Sequence, residues 1–444
     1  MSAEQGAPAT ARSAPSAVVS ALSHDGRGIA KLAGKTLFIE DALPGEEVTY
    51  RILKRRNDYD EARVIQVLRP APERVAPRCA HFGVCGGCSL QHMEPAAQLA
   101  SKQQTLLDNL KRIGGLEPDE LLPPLTGPSW GYRRRARFSV HRSATGQVFV
   151  GFKERDRPLV AELRHCDIVD PKIGGMIAPL AEMLAGLSIA DRIPQLDAAV
   201  GDDATVLMLQ VLKAPNDADR TVLAAFETRH RIRFYLQSGR ASSVAPLHGD
   251  PAQLHYRLPE SGVDIRFEPA DFIQVNGELN RRLVSLALKE LDTRAGESVL
   301  DLFCGLGNFT LPLARVASKV MGIESETDLV GRARKNAESN GLTNVEFAQA
   351  DLFAETQAGD WSRRQWARIL LDPPRAGARE IIARFPKLKA RRIVYVSCHP
   401  ATLARDAKIL VAEQGWRLIR AGVLDMFPHT SHVESIAVFD RSGT

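Results

Sequence analysis

Short runs of β-branched and apolar residues recur in the last third of the chain, and each run ends at a polar, glycine-containing or proline-containing turn. Stretches with helical periodicity separate these runs from about Pro269 onward. Alternation of buried strands and helices is typical of a doubly wound α/β domain with a parallel sheet. Ligands bind at the carboxyl ends of the strands in such a sheet, so we expect the residues that follow each run to share one cleft.

Three of these runs end in groups that could take part in chemistry. They are Val299–Leu302, followed by Phe303 and a glycine loop, Ile369–Leu371, followed by Asp372, and Ile393–Ser397, followed by Cys398. A His-Pro step must end the last strand, which holds a thiol at its tip. An isolated cysteine is more often a buried packing residue than a nucleophile, but the neighbouring strand ends make Cys398 a candidate for covalent chemistry.

The earlier part of the chain follows other patterns. Short alternating strands separated by turn signals between Val18 and Leu68 predict a small β-barrel. The proline-rich stretch Arg69–Pro77 cannot continue a strand or a helix and predicts a linker. A helical segment near Pro95 to Arg112 and mixed strands follow. The pattern thus predicts a disordered tail at 1–17, a barrel at 18–70, a central domain at 71–267 and an α/β domain at 268–444.

Charge and composition favour a nucleic-acid partner and argue against a membrane protein. The chain of 444 residues has a formal charge of +5, and basic residues cluster at Lys54–Arg56 and within Tyr132–Val140. As a strand, the second cluster would place Arg133, Arg135 and Arg137 on one face, where they could follow RNA phosphates, although a solvated face is the alternative. No run of about eighteen apolar residues exists, and the cysteines suit a reducing compartment, so we expect a cytoplasmic protein.

One short segment concentrates cysteines and glycines. Cys79, Cys85 and Cys88 lie within ten residues and alternate with three glycines. Thiolates so close together predict a metal site, for which Cys166 is a candidate fourth ligand. The gaps do not match the two short pairs of a zinc ribbon, and four thiolates also suit an iron–sulfur cluster. The spacing alone leaves both metals open.

The loop after Val299–Leu302 predicts a cofactor without phosphates. Its motif, Asp301-x-x-Cys304-Gly305-x-Gly307, lacks the third glycine of a dinucleotide fingerprint and the lysine of a P-loop. S-adenosylmethionine carries no phosphate and needs carboxylates for its ribose hydroxyls and its adenine. Glu324 and Asp351 end the next two predicted strands and could supply them. The sequence therefore favours S-adenosylmethionine over a dinucleotide.

Nearly the whole chain resembles the bacterial 23S rRNA (uracil-C5)-methyltransferases of the RNA m5U methyltransferase family. The motifs that carry this resemblance are the four cysteines, Phe272–Asn276, Asp301–Asn308, Glu324, Asp351, Asp372, Ser397-Cys398, Pro400–Asp406, Asp425–Thr430 and His432–Ser435. The chain departs from the family pattern at His399, where asparagine is usual, and at Pro374, where alanine is common. Neither change removes a reacting group, but His399 could alter the hydrogen bonding of the thiol.

The resemblance implies an architecture. It implies an OB-like TRAM barrel at the N-terminus, a central α+β domain with a [4Fe-4S] cluster, and a Rossmann-like, S-adenosylmethionine-dependent methyltransferase domain. The implied cluster ligands are Cys79, Cys85, Cys88 and Cys166. The implied partner is 23S rRNA, and no obligatory protein partner is evident.

The resemblance also implies roles for single residues. Cys398 would be the nucleophile that adds to uracil C6, and Glu434 would be the base that removes the C5 proton. The residues implied to bind the cofactor are Gln274, Phe303, Asn308, Glu324, Asp351 and Asp372. Cys304 is expected to be a packing residue.

Two other functions stay open at this point. One is tRNA uracil-C5 methylation, which shares the catalytic motifs but whose typical bacterial enzymes lack the TRAM domain and the cysteine cluster. The other is a non-catalytic RNA-binding assembly protein built on an inactive methyltransferase fold. Intact Cys398, Glu434 and cofactor acids speak against the second.

Overall fold

The computed structural model describes residues 14–239, 243–354 and 359–441, with the side chain of Lys387 left out. Residues 1–13, most of the predicted disordered tail, lie outside this part of the chain. Ser16 and Ala17 already belong to the first strand. The first strand therefore begins slightly earlier than the predicted barrel.

The described residues form two compact units that are not continuous in sequence. The first comprises the chain up to Gly83 together with 88–98 and 429–431. The second comprises 84–87, 99–428 and the chain from His432 onward. The finer division into a barrel, a central domain and an α/β domain stays a prediction.

The first unit contains a barrel. Its strands are β1 (Ser16–Val18), β2 (Ala21–Leu22), β3 (Gly28–Leu32), β4 (Lys35–Glu40), β5 (Glu47–Arg55) and β6 (Tyr59–Arg69). They follow the order β1-β5-β6-β4-β3-β2. Just after β1, Val19 N–H donates to Glu46 O, and Ser20 N–H then donates to Ile29 O. One extended segment therefore pairs with both ends of the sheet and closes it into the predicted barrel.

A buried ion pair fixes the proline-rich stretch that follows the barrel. The carboxylate of Glu46 is completely buried and accepts hydrogen bonds from Arg74 (2.9 Å), Leu43 N–H (2.8 Å) and Ala71 N–H (3.3 Å). Burial raises the pKa of Glu46, but Arg74 and the two N–H groups outweigh it, so the pKa lies below its usual value. The predicted linker is thus held against the barrel.

Two elements of the second unit precede its sheets. The helix α1 (Pro95–Asn109), whose first turn belongs to the first unit, continues as one turn of π-helix over Leu110–Gly114. The short strand β7 (Glu120–Leu121) follows. The helix agrees with the predicted helical segment near Pro95 to Arg112.

A mixed sheet occupies the middle of the chain. Its strands are β8 (Arg135–Arg142), β9 (Val148–Gly151), β10 (Gln195–Val200), β11 (Thr205–Gln210), β12 (Arg233–Gln237) and β13 (Val244–Pro246), in the order β13-β12-β11-β10-β8-β9. The accompanying helices are α2 (Pro171–Gly174), α3 (Ile177–Ala185) and α4 (Asp217–His230), with a 3₁₀ turn at Ala190–Arg192. Leu180, Leu223 and Phe234 are completely buried between the helices and the sheet. This layer is the α+β part of the predicted fold.

The remaining strands form a hairpin and a large sheet. They are β14 (His255–Leu258), β15 (Val263–Arg266), β16 (Ser298–Leu302), β17 (Lys319–Glu324), β18 (Val345–Gln349), β19 (Arg368–Leu371), β20 (Arg392–Ser397), β21 (Arg417–Leu424) and β22 (Glu434–Asp440). The helices are α5 (Gly277–Leu291), α6 (Thr310–Ala314), α7 (Thr327–Ser339), α8 (Arg379–Ile382) and α9 (Pro400–Lys408). Short 3₁₀ turns lie at Pro259–Ser261, Asp360–Arg363 and Phe385–Leu388, and a π-helical turn at Ile409–Glu413.

The large sheet has the order β18-β17-β16-β19-β20-β22-β21-β7. The strands from β18 to β20 are parallel. β22 is antiparallel to both β20 and β21. The prediction of a parallel sheet is therefore correct for the strands from β18 to β20. It is incomplete at the C-terminus, because β21 and β22 are antiparallel neighbours, which can be joined without a crossover helix.

Both faces of this sheet are covered, which explains its nearly continuous hydrophobic runs. Val299 and Val394 pack into a core on one face, whereas Leu300 and Ile393 pack into a second core. Parallel strands buried on both faces lack the alternation of a half-exposed strand. In the described ranges, no helix is long and apolar enough to cross a membrane.

The second core also receives residues from far upstream. Leu106 of α1 and Leu110 of the π-helical turn are completely buried there with Tyr395 of β20. β7 pairs with β21 in parallel through Glu120 and Leu121. The sheet that begins after the predicted boundary at 267 is thus completed by residues that precede this boundary.

Candidate active site

The sheet order brings the carboxyl ends of four strands side by side. β17, β16, β19 and β20 are parallel neighbours. Their ends lead into Glu324, Phe303, Asp372 and Cys398, respectively. The convergence expected from the hydrophobic runs is therefore present at one edge of the sheet.

Antiparallel pairing adds a carboxyl group to this edge. In the register of β20 and β22, Ser397 lies opposite Ser435. One step further along this register, Cys398 lies opposite Glu434. Because β22 runs against β20, its first residue arrives at the carboxyl end of the parallel strands. The strand pairing alone thus places a thiol and a carboxyl group next to each other.

Burial and mutual repulsion disfavour negative charge on this group of acids. Burial, Glu434 and Asp372 together raise the pKa of Cys398 to about 11, against a smaller opposing effect of Arg375. Burial first and the Asp372 carboxyl second raise the pKa of Glu434 to about 8, and Lys102 acts in the opposite direction. Burial also raises the pKa of Asp372 to about 7. Asp372 and Glu434 therefore gain and lose protons near neutral pH, whereas the Cys398 thiol keeps its proton there.

Gln274 reaches the same edge from the segment between β15 and α5. Its Nε2 donates to Asp372 Oδ2 at 3.4 Å. Asn276, two residues on, is completely buried and caps α5 by accepting from Leu279 N–H at 3.1 Å. A cap at this position fixes where the helix begins and hence where Gln274 lies.

The backbone of the loop after β16 has conformations that allow a ligand to approach it closely. Phe303 has φ +64°, and Gly305 and Gly307 have φ +54° and +92°. A non-glycine residue in the left-handed region is uncommon and marks a position worth a functional hypothesis. Nothing would lie within 4 Å of a Cβ added at Gly305, so the space beside this loop is open. The ring of Phe303 lies 5.8 Å from that of Phe353.

The two predicted cofactor acids are held in different ways. Glu324 Oε2 accepts from Gly305 N–H at 3.1 Å, while Oε1 accepts from Ser325 N–H at 2.6 Å, so this carboxylate ties the glycine loop to the end of β17. Asp351 follows β18, is exposed and accepts from Phe353 N–H at 2.9 Å. Both carboxylates lie at strand ends, as the sequence predicts.

Asn308 takes part in an amide network within the protein. Its Oδ1 accepts from Tyr256 OH at 3.0 Å and from Asn280 Nδ2 at 2.9 Å, and its Nδ2 donates to Asn280 Oδ1 at 2.9 Å. This network joins the glycine loop to α5 and to the β14–β15 hairpin. The arrangement leaves Asn308 one N–H for a ligand.

The loop that carries Asp372 is supported by a completely buried carboxylate. Asp406 Oδ2 accepts from Ala378 N–H at 2.7 Å and from Tyr395 OH at 2.8 Å. Gly377 has φ +84°, and a Cβ there would lie 2.6 Å from Asp406 Oδ2. Asp406 is the last residue of the Pro400–Asp406 motif. This motif therefore contributes to the site by fixing the conformation of the loop that carries Asp372.

Comparisons with known proteins agree with this geometry. The model of the tRNA (uracil-5-)-methyltransferase family matches residues 94–442, and that of the TRAM domain matches 16–65. The chain belongs to the tRNA (uracil-5-)-methyltransferase family. The predicted TRAM barrel and methyltransferase fold are thereby confirmed.

Individual relatives of this family cover almost the whole chain. The 23S rRNA (uracil(1939)-C(5))-methyltransferases RlmD of Alkalilimnicola ehrlichii and Stenotrophomonas maltophilia are 50% and 49% identical, each over 95% of this chain and 96% of the relative. The crystal structure of Pyrococcus abyssi tRNA (uracil-54, C5)-methyltransferase in complex with S-adenosyl-L-homocysteine is 26% identical, with a TM-score of 0.73 over 96% of this chain and 99% of the other.

His399, which departs from the family's usual asparagine, keeps a capping role. Its Nδ1 accepts from Thr402 N–H at 3.4 Å, at the N-terminus of α9. An imidazole that accepts through Nδ1 carries its proton on Nε2. Ser397 Oγ accepts from His399 N–H at 3.2 Å. The substitution therefore preserves the turn that presents the Cys398 thiol to the uracil-methyltransferase site.

The guanidinium groups of the arginine-rich segment, predicted to follow RNA phosphates, make contacts within the protein. Arg135 donates to Pro269 O, and Arg133 Nε donates to Arg135 O at 2.9 Å. Arg137, with 71% of its side chain exposed, pairs with Asp197 at 3.1 Å. The first two guanidinium groups thus bind backbone carbonyls within the protein, and Arg137 is the member of the three best exposed to a phosphate.

The four cysteines predicted to bind a cluster are reduced and half-buried. Cys79 and Cys88 belong to the first unit, and Cys85 and Cys166 to the second. Four thiols suit an iron–sulfur cluster chemically, and Cys85 Sγ accepts from Gly87 N–H at 3.4 Å, as a thiolate ligand would. Within 14–239, 243–354 and 359–441, no group of three or more His, Cys, Asp or Glu residues is arranged to hold a metal. The four thiols thus suit a cluster by their chemistry but are not gathered into a metal-binding arrangement in the described residues, and the cluster stays a prediction.

Sequence reasoning did not find two cations near the reacting groups. Lys102 of α1 is 2% exposed in its side chain and pairs with Asp425. Arg375, three residues after Asp372, donates to His432 Nδ1 at 2.9 Å, which requires a neutral imidazole. Lys102 and Arg375 contact Asp425 and His432, respectively. Both of these partners belong to the C-terminal motifs Asp425–Thr430 and His432–Ser435, so these motifs were the sequence signal that could have pointed to the two cations. Cys304 is buried, as expected for a packing residue.

We predict that charge coupling between Glu434 and Cys398 controls alkylation of the thiol. Since the carboxylate of Glu434 raises the pKa of Cys398, Glu434→Gln should lower it and increase the rate of iodoacetamide modification severalfold at pH 9. The measurement is the modification of the peptide that contains Cys398, followed by mass spectrometry from pH 7 to 11. Glu380→Gln, at an exposed acid of α8, should match the unmodified protein. A slower reaction of the Glu434 variant would contradict the coupling.

Proposed function

We propose that this protein transfers the methyl group of S-adenosylmethionine to C5 of a uracil in 23S rRNA. The observation that carries the proposal is the pairing of β20 with β22 up to Ser397 and Ser435, which brings the neighbouring residues Cys398 and Glu434 within electrostatic reach of each other. Membership of a uracil-C5 methyltransferase family supports the reaction. The relatives that are 50% and 49% identical are named for 23S rRNA, which supports this substrate.

Uracil C5 is too weak a nucleophile to accept a methyl group directly. The thiolate of Cys398 adds to C6, and the resulting enolate makes C5 nucleophilic. The raised pKa of Cys398 means that the thiol releases its proton to solvent when positive charge is close. Arg375 supplies one such charge in the protein. The sulfonium of the methyl donor would supply a second when it is bound.

Methyl transfer leaves a proton on C5 that must be removed. C5 attacks the methyl group, the C–S bond to the donor breaks, and the donor leaves as S-adenosylhomocysteine. Glu434 in its ionised form then takes the C5 proton, the C5–C6 double bond forms again, and the thiolate of Cys398 leaves. The target base must be out of its stack for both sides of the ring to be reached.

The other residues of the site hold the reactants. Gln274 and Asp372, which already contact each other, would bind the uracil edge and orient the methyl donor. Phe303 would pack against the donor, and Glu324 and Asp351 would accept from its ribose and adenine. Asn308 would contact the donor through its remaining N–H.

We also propose that Cys79, Cys85, Cys88 and Cys166 carry a [4Fe-4S] cluster. The chemistry of the four thiols, which are the ligands that iron–sulfur clusters use, supports it. Such a cluster would tie 79–88 to the loop around Cys166 and thereby stabilise the fold. The chemistry of methyl transfer needs no electron from it, since each step above is balanced by Cys398, Glu434 and the methyl donor.

We predict that total RNA incubated with this protein and labelled S-adenosylmethionine becomes labelled at C5 of one uracil in 23S rRNA. Mapping of the labelled nucleotide by nuclease digestion and mass spectrometry is the measurement. Label in tRNA instead would favour the tRNA enzyme, to which this chain is related at 26% identity. Absence of label from all RNA would leave the non-catalytic assembly protein.

We predict that the nucleophile and the base fail at different steps. Cys398→Ala should abolish turnover and form no covalent protein–RNA adduct, because no group can add to C6. Glu434→Gln should allow addition and methyl transfer but lose at least about 100-fold in turnover, so that a methylated adduct accumulates on denaturing gels.

The exposed variant Glu380→Gln is the control for the charge change and should turn over normally. Methylation by Cys398→Ala would refute the addition mechanism. Normal turnover of Glu434→Gln would show that another group is the base.

We predict that protein purified without oxygen is brown and contains about four irons and as much sulfide, as a four-thiolate cluster requires. Cys88→Ala should lose most of the iron. Cys304→Ala, which removes a buried thiol outside the ligand set, should retain it. Iron, zinc and acid-labile sulfide analysis decides between the metals, and stoichiometric zinc without sulfide would rule out the iron–sulfur cluster.

A further inference from the structure

A lysine is buried beside the predicted base. Lys102 lies in the middle of α1, far upstream of the methyltransferase strands, and its side chain is only 2% exposed. Lysine is almost never fully buried unless its charge is paired. Because α1 packs through Leu106 into the core shared with β20, the lysine is fixed by the docking of its helix.

The ammonium group binds the segment that leads into Glu434. Lys102 Nζ donates to Asp425 Oδ1 at 2.7 Å and to Phe427 O at 2.9 Å. Asp425 directly follows β21, and Glu434 opens β22, so these bonds fix one end of the connection between the two strands. Neither bond is needed to close the sheet itself, which is paired along β21 and β22.

Lys102 is also within electrostatic reach of Glu434. The charged or titratable groups that act on Glu434 are Lys102 of α1, Asp372 after β19 and Cys398 after β20, and Asp425 after β21 is the ion-pair partner of Lys102. His432, which precedes β22, is held neutral by burial and by Arg375 and Lys102 in turn. Asp372 disfavours the carboxylate form of Glu434, and Lys102 favours it. In this group Lys102 is the cation that acts on Glu434.

We propose that Lys102 is a positioning residue for proton removal, whose ammonium group favours the carboxylate form of Glu434 and holds the segment before it in place while Cys398 is bonded to the uracil. The inference rests on the proposed function, because it assigns Lys102 a role through Glu434. Asp425 balances the buried ammonium and orients it, so the pair supplies a directed positive charge without leaving a charge unpaired.

The chemical reason is the charge that Glu434 must carry. A base removes the C5 proton only as a carboxylate, in a site where Asp372 and the departing thiolate of Cys398 both repel that charge. Loss of the cation raises the pKa of Glu434, so the rate of proton removal should reach its plateau at a higher pH. A shift of about one pH unit corresponds to a tenfold slower step at pH values below the pKa.

The experiment measures decay of the methylated covalent adduct as a function of pH. Wild-type protein, Lys102→Met and Glu434→Gln are mixed with 23S rRNA and labelled S-adenosylmethionine in single turnover, and the adduct is quantified on denaturing gels from pH 6 to 10. Lys102→Met should form the adduct and lose it about tenfold more slowly at pH 7 than wild type, with its pH profile moved up by about one unit. Lys111→Met, at a 72% exposed lysine on the turn that continues α1, should behave as wild type.

A second variant separates charge from folding. Lys102→Met/Asp425→Asn also lacks the cation but leaves no unpaired carboxylate, so it should show the same upward shift. A wild-type pH profile in both variants, or in the double variant alone, would overturn the role of Lys102. If Glu434→Gln accumulates no adduct, the proposed mechanism fails, and this failure is distinct from an unshifted Lys102 profile.

Discussion

The antiparallel pairing of β20 with β22 is the constraint on which the site depends. A sheet built only from crossover units would bring each strand to the site by its carboxyl end. β22 reverses direction, and its first residue therefore meets the end of β20. Since a one-residue change in register would turn each side chain to the opposite face, the hydrogen bonds of two strands determine whether the Cys398 thiol and the Glu434 carboxyl lie close together.

The same geometry gathers several acids in one poorly hydrated place. Cys398, Asp372 and Glu434 each resist ionisation because of burial, and two of them also because of their neighbours. Such a site stores protons at rest and releases them when positive charge enters. Arg375 and Lys102, which are far apart in the sequence, provide part of that charge. The ionisation of Cys398, Asp372 and Glu434 therefore depends on whether a charged ligand is bound as well as on the surrounding residues.

Local patterns were sufficient to find the strand ends but not the residues brought there by distant pairing. Cys398 and Asp372 followed hydrophobic runs, so position alone made them candidates. Glu434 required a family resemblance, because the direction of β22 is set by its partner strands. The pattern of the predicted helix does not mark Lys102, since its burial depends on how α1 docks.

The arginine-rich strand shows that a periodic pattern predicts an extended segment but not the partners of its side chains. Its alternation correctly predicted an extended segment, yet Arg135 binds the carbonyl of Pro269 within the protein. A side chain's partner depends on which loop lies across from it, and no periodicity encodes that loop. Asn308, in a motif typical of cofactor loops, likewise spends most of its hydrogen-bonding capacity on Asn280 and Tyr256.

The mixed sheet β8–β13 is inserted between two parts of the catalytic sheet, because β7 precedes it in the chain and β16 follows it. A cut in one of its loops would therefore produce two fragments that remain associated, one contributing α1 and β7 and the other contributing β16 to β22. Neither fragment could bury its own apolar surface alone. Insertions in the loops of the middle sheet should therefore be tolerated more readily than a break that separates α1 from the strands β16 to β22.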